Sequence, residues 1–226
     1  MKPLAGLALT TVSAVAFFAL ASCIESPKPA TATATPAAVA PAPISKALPA
    51  TAAKKVVVTD ADFACIRKLK PVRGYYVGNV LGNVDASVKA AEASGTYPVG
   101  SIVQLVPTEA MVKHEAGYNA ATNDWEFFEL TVSKTSSTIH VRGSTDVVNR
   151  FGGNCLSCHA PAGPKFDMVC EQNHGCLPIP ITPIMAKAIQ NTDPRCEPVA
   201  LPPEQIDALK QLQAMMSGAA APKPAQ

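Results

Sequence analysis

The feature that most constrains how this chain folds is the pentapeptide Cys155-Leu156-Ser157-Cys158-His159. Two cysteines three positions apart, followed directly by a histidine, form the attachment sequence of a c-type haem. Residues i and i+3 lie on one face of a helix, so both sulfurs can reach the two vinyl groups of one porphyrin. The histidine then serves as the proximal ligand of the iron. We therefore expect Cys155 and Cys158 to hold haem c covalently and His159 to ligate the metal.

Two other sites use similar residues, and both fit this sequence less well. A thioredoxin-like redox pair needs the two cysteines but not the histidine that follows them. A zinc site needs four ligands, and no second Cys-x-x-Cys occurs in the sequence to complete one. The motif therefore favours haem attachment.

The N-terminus has the composition of an export signal, in agreement with a haem that is attached outside the bacterial cytoplasm. Lys2 is followed by an uncharged run over residues 4–20 and by small residues before Cys23, which is typical of a signal peptide at residues 1–22. The run is slightly short and rich in Ala, Thr and Ser, so a transmembrane helix is disfavoured. Leu20-Ala21-Ser22-Cys23 resembles a bacterial lipoprotein box, in which Cys23 would be lipidated. An ordinary cleaved signal with an incidental cysteine is the alternative.

Composition divides the rest of the chain into a tether, one domain and a tail. Residues 23–55 are rich in Ala, Pro and Thr, which favours an extended spacer between a lipid anchor and a folded domain. Residues 56–217 have the size of one domain, and residues 218–226 form an Ala/Pro tail that we expect to be disordered. This organisation places the domain on the periplasmic face of a bacterial membrane, with inner and outer membrane both open.

The charge balance argues against nucleic acid as a partner. The formal net charge is +2, from 19 basic and 17 acidic residues, and these charges are interspersed without a basic patch. A redox partner protein remains possible.

Four cysteines remain after lipid and haem attachment, an even number that favours disulfides in an oxidising compartment. They are Cys65, Cys170, Cys176 and Cys196, and three connectivities are possible. We favour Cys170–Cys176, which closes a short loop, together with Cys65–Cys196. The alternative is a metal site formed by His174 and neighbouring cysteines.

Hydrophobic periodicity and turn residues predict an α+β domain, with a mostly antiparallel sheet and peripheral helices. Thr59 and Asp85 are candidate helix N-caps, and Pro71 is expected to end the first helix. The predicted strands cover residues 75–81, 101–106, 110–114, 125–132 and 138–142, and the predicted helices cover residues 59–69, 86–93, 184–190 and 203–216.

In this order of segments the chain resembles the cytochrome P-460 family and its cytochrome c′-β relatives. The resemblance extends from about Tyr75 to Val169. It depends on a helix that ends in Ala93-Ser94-Gly95-Thr96-Tyr97-Pro98, a strand opened by Val99-Gly100-Ser101-Ile102-Val103, the segments Glu109-Ala110-Met111-Val112-Lys113 and Asp124-Trp125-Glu126-Phe127-Phe128, and the late haem motif followed by Phe166-Asp167-Met168-Val169. It implies an antiparallel sheet, a pentacoordinate haem and a distal pocket lined from the sheet.

The sequence departs from this family at two places. Its hydroxylamine-oxidising members carry a lysine, cross-linked to the porphyrin, in the strand after the Gly-Thr pair. That position here is Leu105, whereas Lys113 lies on the next strand and matches less naturally. The chain is therefore closer to the gas-binding relatives, and whether it is an enzyme stays open. The Pro- and Cys-rich segment after Val169 has no counterpart in the family.

The resemblance places Leu105, Phe127 and Phe128 among the candidates for the distal pocket, although aromatic residues also commonly fill cores. A sixth iron ligand from the protein is the alternative, and it would create an electron carrier. Candidates for this ligand are His114, His140, His174, Met215 and Met216.

Three functions follow from these observations. The first is a haem protein that binds a small neutral ligand such as NO at an open, apolar distal site. The second is an oxidoreductase acting on hydroxylamine or peroxide, which needs a polar distal residue. The third is a membrane-tethered electron-transfer cytochrome with a six-coordinate iron.

Overall fold

The computed structural model describes residues 55–217 with the exception of residue 172. The predicted signal peptide (residues 1–22), the predicted lipidation site Cys23, nearly all of the predicted tether (residues 23–55) and the tail (residues 218–226) lie outside the described residues. The remaining features are described for residues 55–217 alone.

The domain contains one six-stranded antiparallel sheet, in which each strand pairs with its neighbours in sequence. The α+β prediction is thus confirmed. The strands are β1 (Lys70–Val72), β2 (Tyr75–Asn79), β3 (Ser101–Gln104), β4 (Glu109–Lys113), β5 (Trp125–Val132) and β6 (Ser137–Gly143). The helices are α1 (Val84–Glu92), α2 (Cys155–His159), α3 (Pro183–Asn191) and α4 (Pro203–Met216).

The start of the domain differs from the prediction. The helix expected over residues 59–69 is replaced by two short 3-10 turns, Asp60–Asp62 and Ile66–Lys68. The backbone N–H and the hydroxyl of Thr59 both donate to the Asp62 carboxylate, which closes a single turn. The backbone N–H of Ile66 donates to the buried Asp193 carboxylate instead of to a preceding turn. Tertiary contacts have therefore overridden the local helical pattern.

Strand β1 was not predicted, because Pro71 was expected only to end a helix. Proline is compatible with an edge strand, where its missing N–H does not interrupt a ladder. Val72 pairs with Tyr75 across a two-residue hairpin loop, and both loop residues, Arg73 and Gly74, have positive φ. Hairpin loops of two residues favour this left-handed conformation because it matches the twist of the strands.

The two faces of the sheet carry separate apolar clusters, because side chains alternate along each strand. We call the first the site face; it contains Val77, Val103, Met111, Trp125 and Phe127, with Cys155 and Leu156 of α2 packed against it. The second, the outer face, contains Phe63, Ile102, Ala110, Val112, Phe128 and Leu130. Helix α2 is therefore held over the site face.

The other predicted helices are confirmed, α1 and α3 with small shifts in their ends and α4 with its predicted ends. Helix α1 begins after Asn83, so Asp85 lies in its first turn and is not its cap; an acidic side chain there still complements the helix dipole. Thr182 caps α3, since its hydroxyl accepts a hydrogen bond from the backbone of Met185 at 3.3 Å. Within residues 55–217, no helix has the length and apolar character needed to span a bilayer.

Both predicted disulfides are formed. Cys65 is bonded to Cys196 and Cys170 to Cys176. The first ties the start of the domain to the segment between α3 and α4, and the second closes the loop that follows the haem motif. The alternative metal site at His174 is not supported, because the neighbouring cysteines are paired.

Candidate functional site

The Cys-Leu-Ser-Cys-His motif forms helix α2, and the residue before it fixes the start of the helix. The side-chain oxygen of Asn154 accepts a hydrogen bond from the backbone N–H of Ser157 at 2.8 Å, as an N-cap does. The N–H of Cys155 donates to the carbonyl of Val147 at 3.0 Å, and Val147 is itself buried in the site-face cluster. These contacts hold the first cysteine against the sheet.

Both motif cysteines are free thiols, in different environments. Cys155 is half-buried and Cys158 is exposed. Burial raises the pKa of the Cys155 thiol to about 12, with further contributions from the nearby Glu109, Cys158 and Glu129. A thioredoxin-like pair requires a lowered thiol pKa, because the thiolate is the attacking species. The environment of Cys155 therefore argues against the redox-pair alternative.

His159 is held in the tautomer that a metal ligand needs. Its Nδ1 lies 2.8 Å from the carbonyl oxygen of Met168. A carbonyl oxygen only accepts hydrogen bonds, so Nδ1 must carry the proton, and the lone pair is on Nε2. Burial lowers the pKa of His159, and the hydrogen bond to Met168 offsets this only in part. The imidazole is thus neutral near pH 7, with Nε2 free to bind a metal.

The carbonyl that orients His159 belongs to a rigidly held segment. The carboxylate of Asp167, which is fully buried, accepts hydrogen bonds from Lys113 Nζ at 2.6 Å and from the backbone N–H of Tyr97 at 2.7 Å. The indole N–H of Trp125 donates to the backbone carbonyl of Asp167 at 2.8 Å. Residue 167 is therefore fastened to the site face directly before the residue that binds His159.

Lys113, the weaker match for the family's cross-linking lysine, is buried on the site face. Among the described residues it is the one buried lysine. Its Nζ is bound to the Asp167 carboxylate and, at 2.6 Å, to the carbonyl of Asn123. The ammonium group is thus engaged within the core.

The disulfide loop after the motif is attached to the sheet through one carboxylate. Glu171 accepts two hydrogen bonds from the Arg73 guanidinium, both at 2.6 Å, and one from the Tyr75 hydroxyl at 2.9 Å. Burial opposes ionisation of Glu171, but the bonds with Arg73 and Tyr75 outweigh it and lower its pKa. In the same loop His174 stacks on Phe166 with ring centroids 3.8 Å apart.

Sequence reasoning missed a pair of carboxylates near the motif. Glu109 and Glu129 face each other across β4 and β5, and one oxygen of each is buried without a hydrogen-bond partner. Arg150 forms an ion pair with Glu129. Burial, with the charge of Glu129, raises the pKa of Glu109 to about 7. Strand alternation was the available signal, because it places Glu109 on the same face as Met111 and Phe127.

The three predicted distal residues lie in different places. Leu105, just after β3, packs on the site-face cluster with Cys155 and Leu156. Phe127 is also on this face, and its ring centroid lies 5.2 Å from that of His159, so it lies beside the candidate axial ligand and not on the side expected for a distal pocket. Phe128 is on the outer face, and its ring packs against Phe63 at 5.1 Å. Phe128 therefore lies on the face opposite α2, because neighbouring residues of a strand point to opposite faces.

The candidates for a sixth iron ligand are mostly directed elsewhere. His114 lies at the end of β4 and is hydrogen-bonded to Glu126 at 2.8 Å, while His140 is exposed on β6. His174 is in the disulfide loop, with its Nδ1 2.7 Å from the carbonyl of Val169. Met215 and Met216 are exposed at the end of α4. The methionines buried on the site face are Met111 and Met168.

A zinc site at the motif is not supported by the ligand geometry. Among the described residues, the group of potential ligand atoms that converges within 4.8 Å is Cys65, Asp193 and Cys196. The two sulfurs in this group form a disulfide and are unavailable to a metal. The motif's own thiols and imidazole do not converge in this way, as ligands of one zinc ion must.

Comparison of the chain with protein-family models, with curated proteins and with solved structures finds no match.

Proposed function

We propose that this protein is a mono-haem c cytochrome, with the haem attached through Cys155 and Cys158 and with His159 as the axial ligand. The observation that carries the proposal is the combination of two free thiols at i and i+3 with a neutral imidazole whose Nδ1 is fixed and whose Nε2 is free. These are the donors that haem c attachment requires, in the states it requires.

A haem bound here would supply an iron that takes up small ligands at its open position. The protein would contribute His159 as an iron ligand and apolar side chains that exclude water. Leu105, which is partly exposed and packs on the same cluster as Cys155 and Leu156, is an apolar residue of the site face suited to this purpose. An apolar surrounding favours a small neutral ligand, and NO is the ligand we propose. The P-460-like assignment supports this choice, since Leu105 stands where a cross-linking lysine would otherwise be expected.

The optical spectrum of the exported, haem-loaded protein tests this function. We expect a high-spin reduced spectrum that shifts when NO is added, because no protein side chain is proposed as a sixth ligand. A His140→Ala variant is the matched control, since His140 is exposed, and it should give the same spectra. A low-spin reduced spectrum unmoved by NO would instead indicate a saturated iron and the electron-carrier alternative.

A second function, oxidation of hydroxylamine, is favoured by one observation. It requires a general base near the haem, and Glu109 has the properties of one. Its pKa of about 7, raised by burial and Glu129, is close to the operating range of an efficient base. Arg150 and Cys155 are the other titratable groups near this pair.

Any hydroxylamine oxidation that depends on Glu109 should rise with pH through about 7, because a base acts in its deprotonated form. Glu109→Gln should lower this rate about 100-fold or more, the usual contribution of a general base. Glu92→Gln, an exposed glutamate at the end of α1, is the control. Turnover that is absent, or equal in wild type and Glu109→Gln, rules out this second function and favours simple ligand binding.

The proposed location is the periplasmic face of a bacterial membrane, with Cys23 lipidated and residues 24–55 acting as the tether. A redox partner protein is compatible with this location, and nucleic acid is not proposed as a partner. Support comes from the sequence of residues 1–55 and from the two disulfides, which indicate an oxidising compartment.

A further inference from the structure

Two consecutive residues next to the haem motif have an unfavourable backbone conformation. Asp167 and Met168 have φ of +48° and +60°, in the left-handed region that non-glycine residues rarely occupy in succession. Such strain persists only where the surrounding structure holds the backbone in place, and it is commonly found at functional sites. The contacts of Asp167 explain how this conformation is held, and the contact of Met168 explains what it is for.

The side chain and the carbonyl of Asp167 supply the restraint. The carboxylate is bound by Lys113 Nζ, by the Asn123 side-chain amide and by the backbone N–H of Tyr97, and the carbonyl is bound by the Trp125 indole. These partners come from β4, from the loop before β5, from β5 itself and from the segment after α1. The left-handed pair is thus fixed by two strands of the sheet and by two segments next to it.

The functional consequence lies one peptide unit further along. The left-handed conformation directs the carbonyl of Met168 to His159, whose Nδ1 donates to it at 2.8 Å. A hydrogen bond at the second ring nitrogen sets the orientation and basicity of a metal-ligating histidine. If the Asp167 contacts were lost, the segment could relax to an unstrained conformation, and this acceptor would move.

We propose that Asp167, held by Lys113, is a positioning residue for the axial histidine and that it controls how firmly His159 binds iron. Neither residue touches the iron in this arrangement; both act through the Met168 carbonyl. The inference rests on the proposed function, because it assigns a role toward a haem bound at Cys155 and Cys158. It connects the buried ion pair of the site face to the reactivity of the haem.

The test compares haem-loaded Asp167→Asn, Asp167→Ala and Lys113→Met with the wild type. Asp193→Asn is the matched control, because Asp193 is also buried, forms an ion pair with Arg195 at 2.8 Å and accepts a backbone hydrogen bond from Ile66, and neither partner belongs to the site-face cluster. The readouts are the iron–histidine stretching band in resonance Raman spectra and the rate at which excess NO displaces His159. A purely structural role would not move these readouts selectively.

In each Asp167 variant we expect the iron–histidine stretching band at lower frequency, because the bond is weaker. We also expect NO to displace His159 about 10-fold faster, within the usual range for loss of an outer-shell partner. Asp167→Ala should have the larger effect, since Asn retains the shape and part of the hydrogen bonding. If Asp167→Ala does not fold, Asp167→Asn decides the question. Asp193→Asn should match the wild type in both readouts even if it unfolds more easily.

Two negative results have different meanings. If the wild type carries covalent haem and Asp167→Asn and Lys113→Met are indistinguishable from Asp193→Asn, the positioning role is overturned and the proposed function stands. If the wild type carries no covalent haem, the proposed function is overturned, and the positioning role is overturned with it.

Discussion

Replacing Cys155 and Cys158 together by alanine is expected to abolish covalent haem while leaving the protein exportable. The physical reason is that each thioether needs its own sulfur, and after the double replacement no sulfur remains in α2. The measurement is haem staining of the exported protein after denaturing electrophoresis, together with the mass of the intact chain. Each single replacement should keep one thioether and hence a residual stain.

The matched control removes two cysteines that lie close in sequence but are assigned to a disulfide. Cys170→Ala with Cys176→Ala should retain full haem staining, because these sulfurs are bonded to each other. His159→Ala should also keep both thioethers but change the optical spectrum, since only the axial ligand is lost. Persistent covalent haem in the double alanine variant at 155 and 158 would falsify the assignment of the motif.

Removing the Cys65–Cys196 disulfide is expected to cause the largest loss of stability that we predict. Its cysteines are 131 positions apart in sequence, whereas Cys170 and Cys176 are 6 apart. In the chain-entropy account, a disulfide restricts the unfolded chain more when it closes a longer loop. Replacing Cys65 and Cys196 by alanine should therefore lower the free energy of unfolding by about 4–5 kcal/mol.

The short disulfide is the internal comparison. The same dependence on loop length predicts that the Cys170/Cys176 double alanine variant loses roughly 3 kcal/mol less than the Cys65/Cys196 variant. Urea unfolding of the oxidised proteins, with matched haem content, measures both. Equal losses in the two variants would show that strain or structure in the unfolded chain, and not loop length, dominates these disulfides.

Local patterns in the sequence were sufficient for much of the sheet. Trp125 and Phe127 point to one face and Phe128 to the other, and this alternation predicted β5 with the ends that the structure shows. The reason is that a half-buried strand places every second side chain on the same face. The same alternation places Phe127 and Phe128 on opposite faces, so the two rings do not line one side of the sheet together. Helix α4 also has its predicted ends.

Local patterns failed where distant residues set the backbone. Residues 59–69 have the spacing of a helix, but Asp193 and the bond to Cys196 hold this segment from more than a hundred positions away. Strand β1 was missed because its existence depends on pairing with β2 at the edge of the sheet. In both places the competing interaction is tertiary, and periodicity within a short window does not report it.

The sequence by itself determined the candidate haem-attachment motif, since Cys155, Cys158 and His159 lie within one helical turn and their relation needs no distant partner. The tertiary structure alone decided how the histidine is held and what surrounds it. Lys113 and Asp167 are 54 positions apart, and Glu109 and Glu129 meet only across paired strands. Charged residues such as these are ordinarily expected at the surface. Only the folded sheet brings each of these pairs together in the interior of the domain.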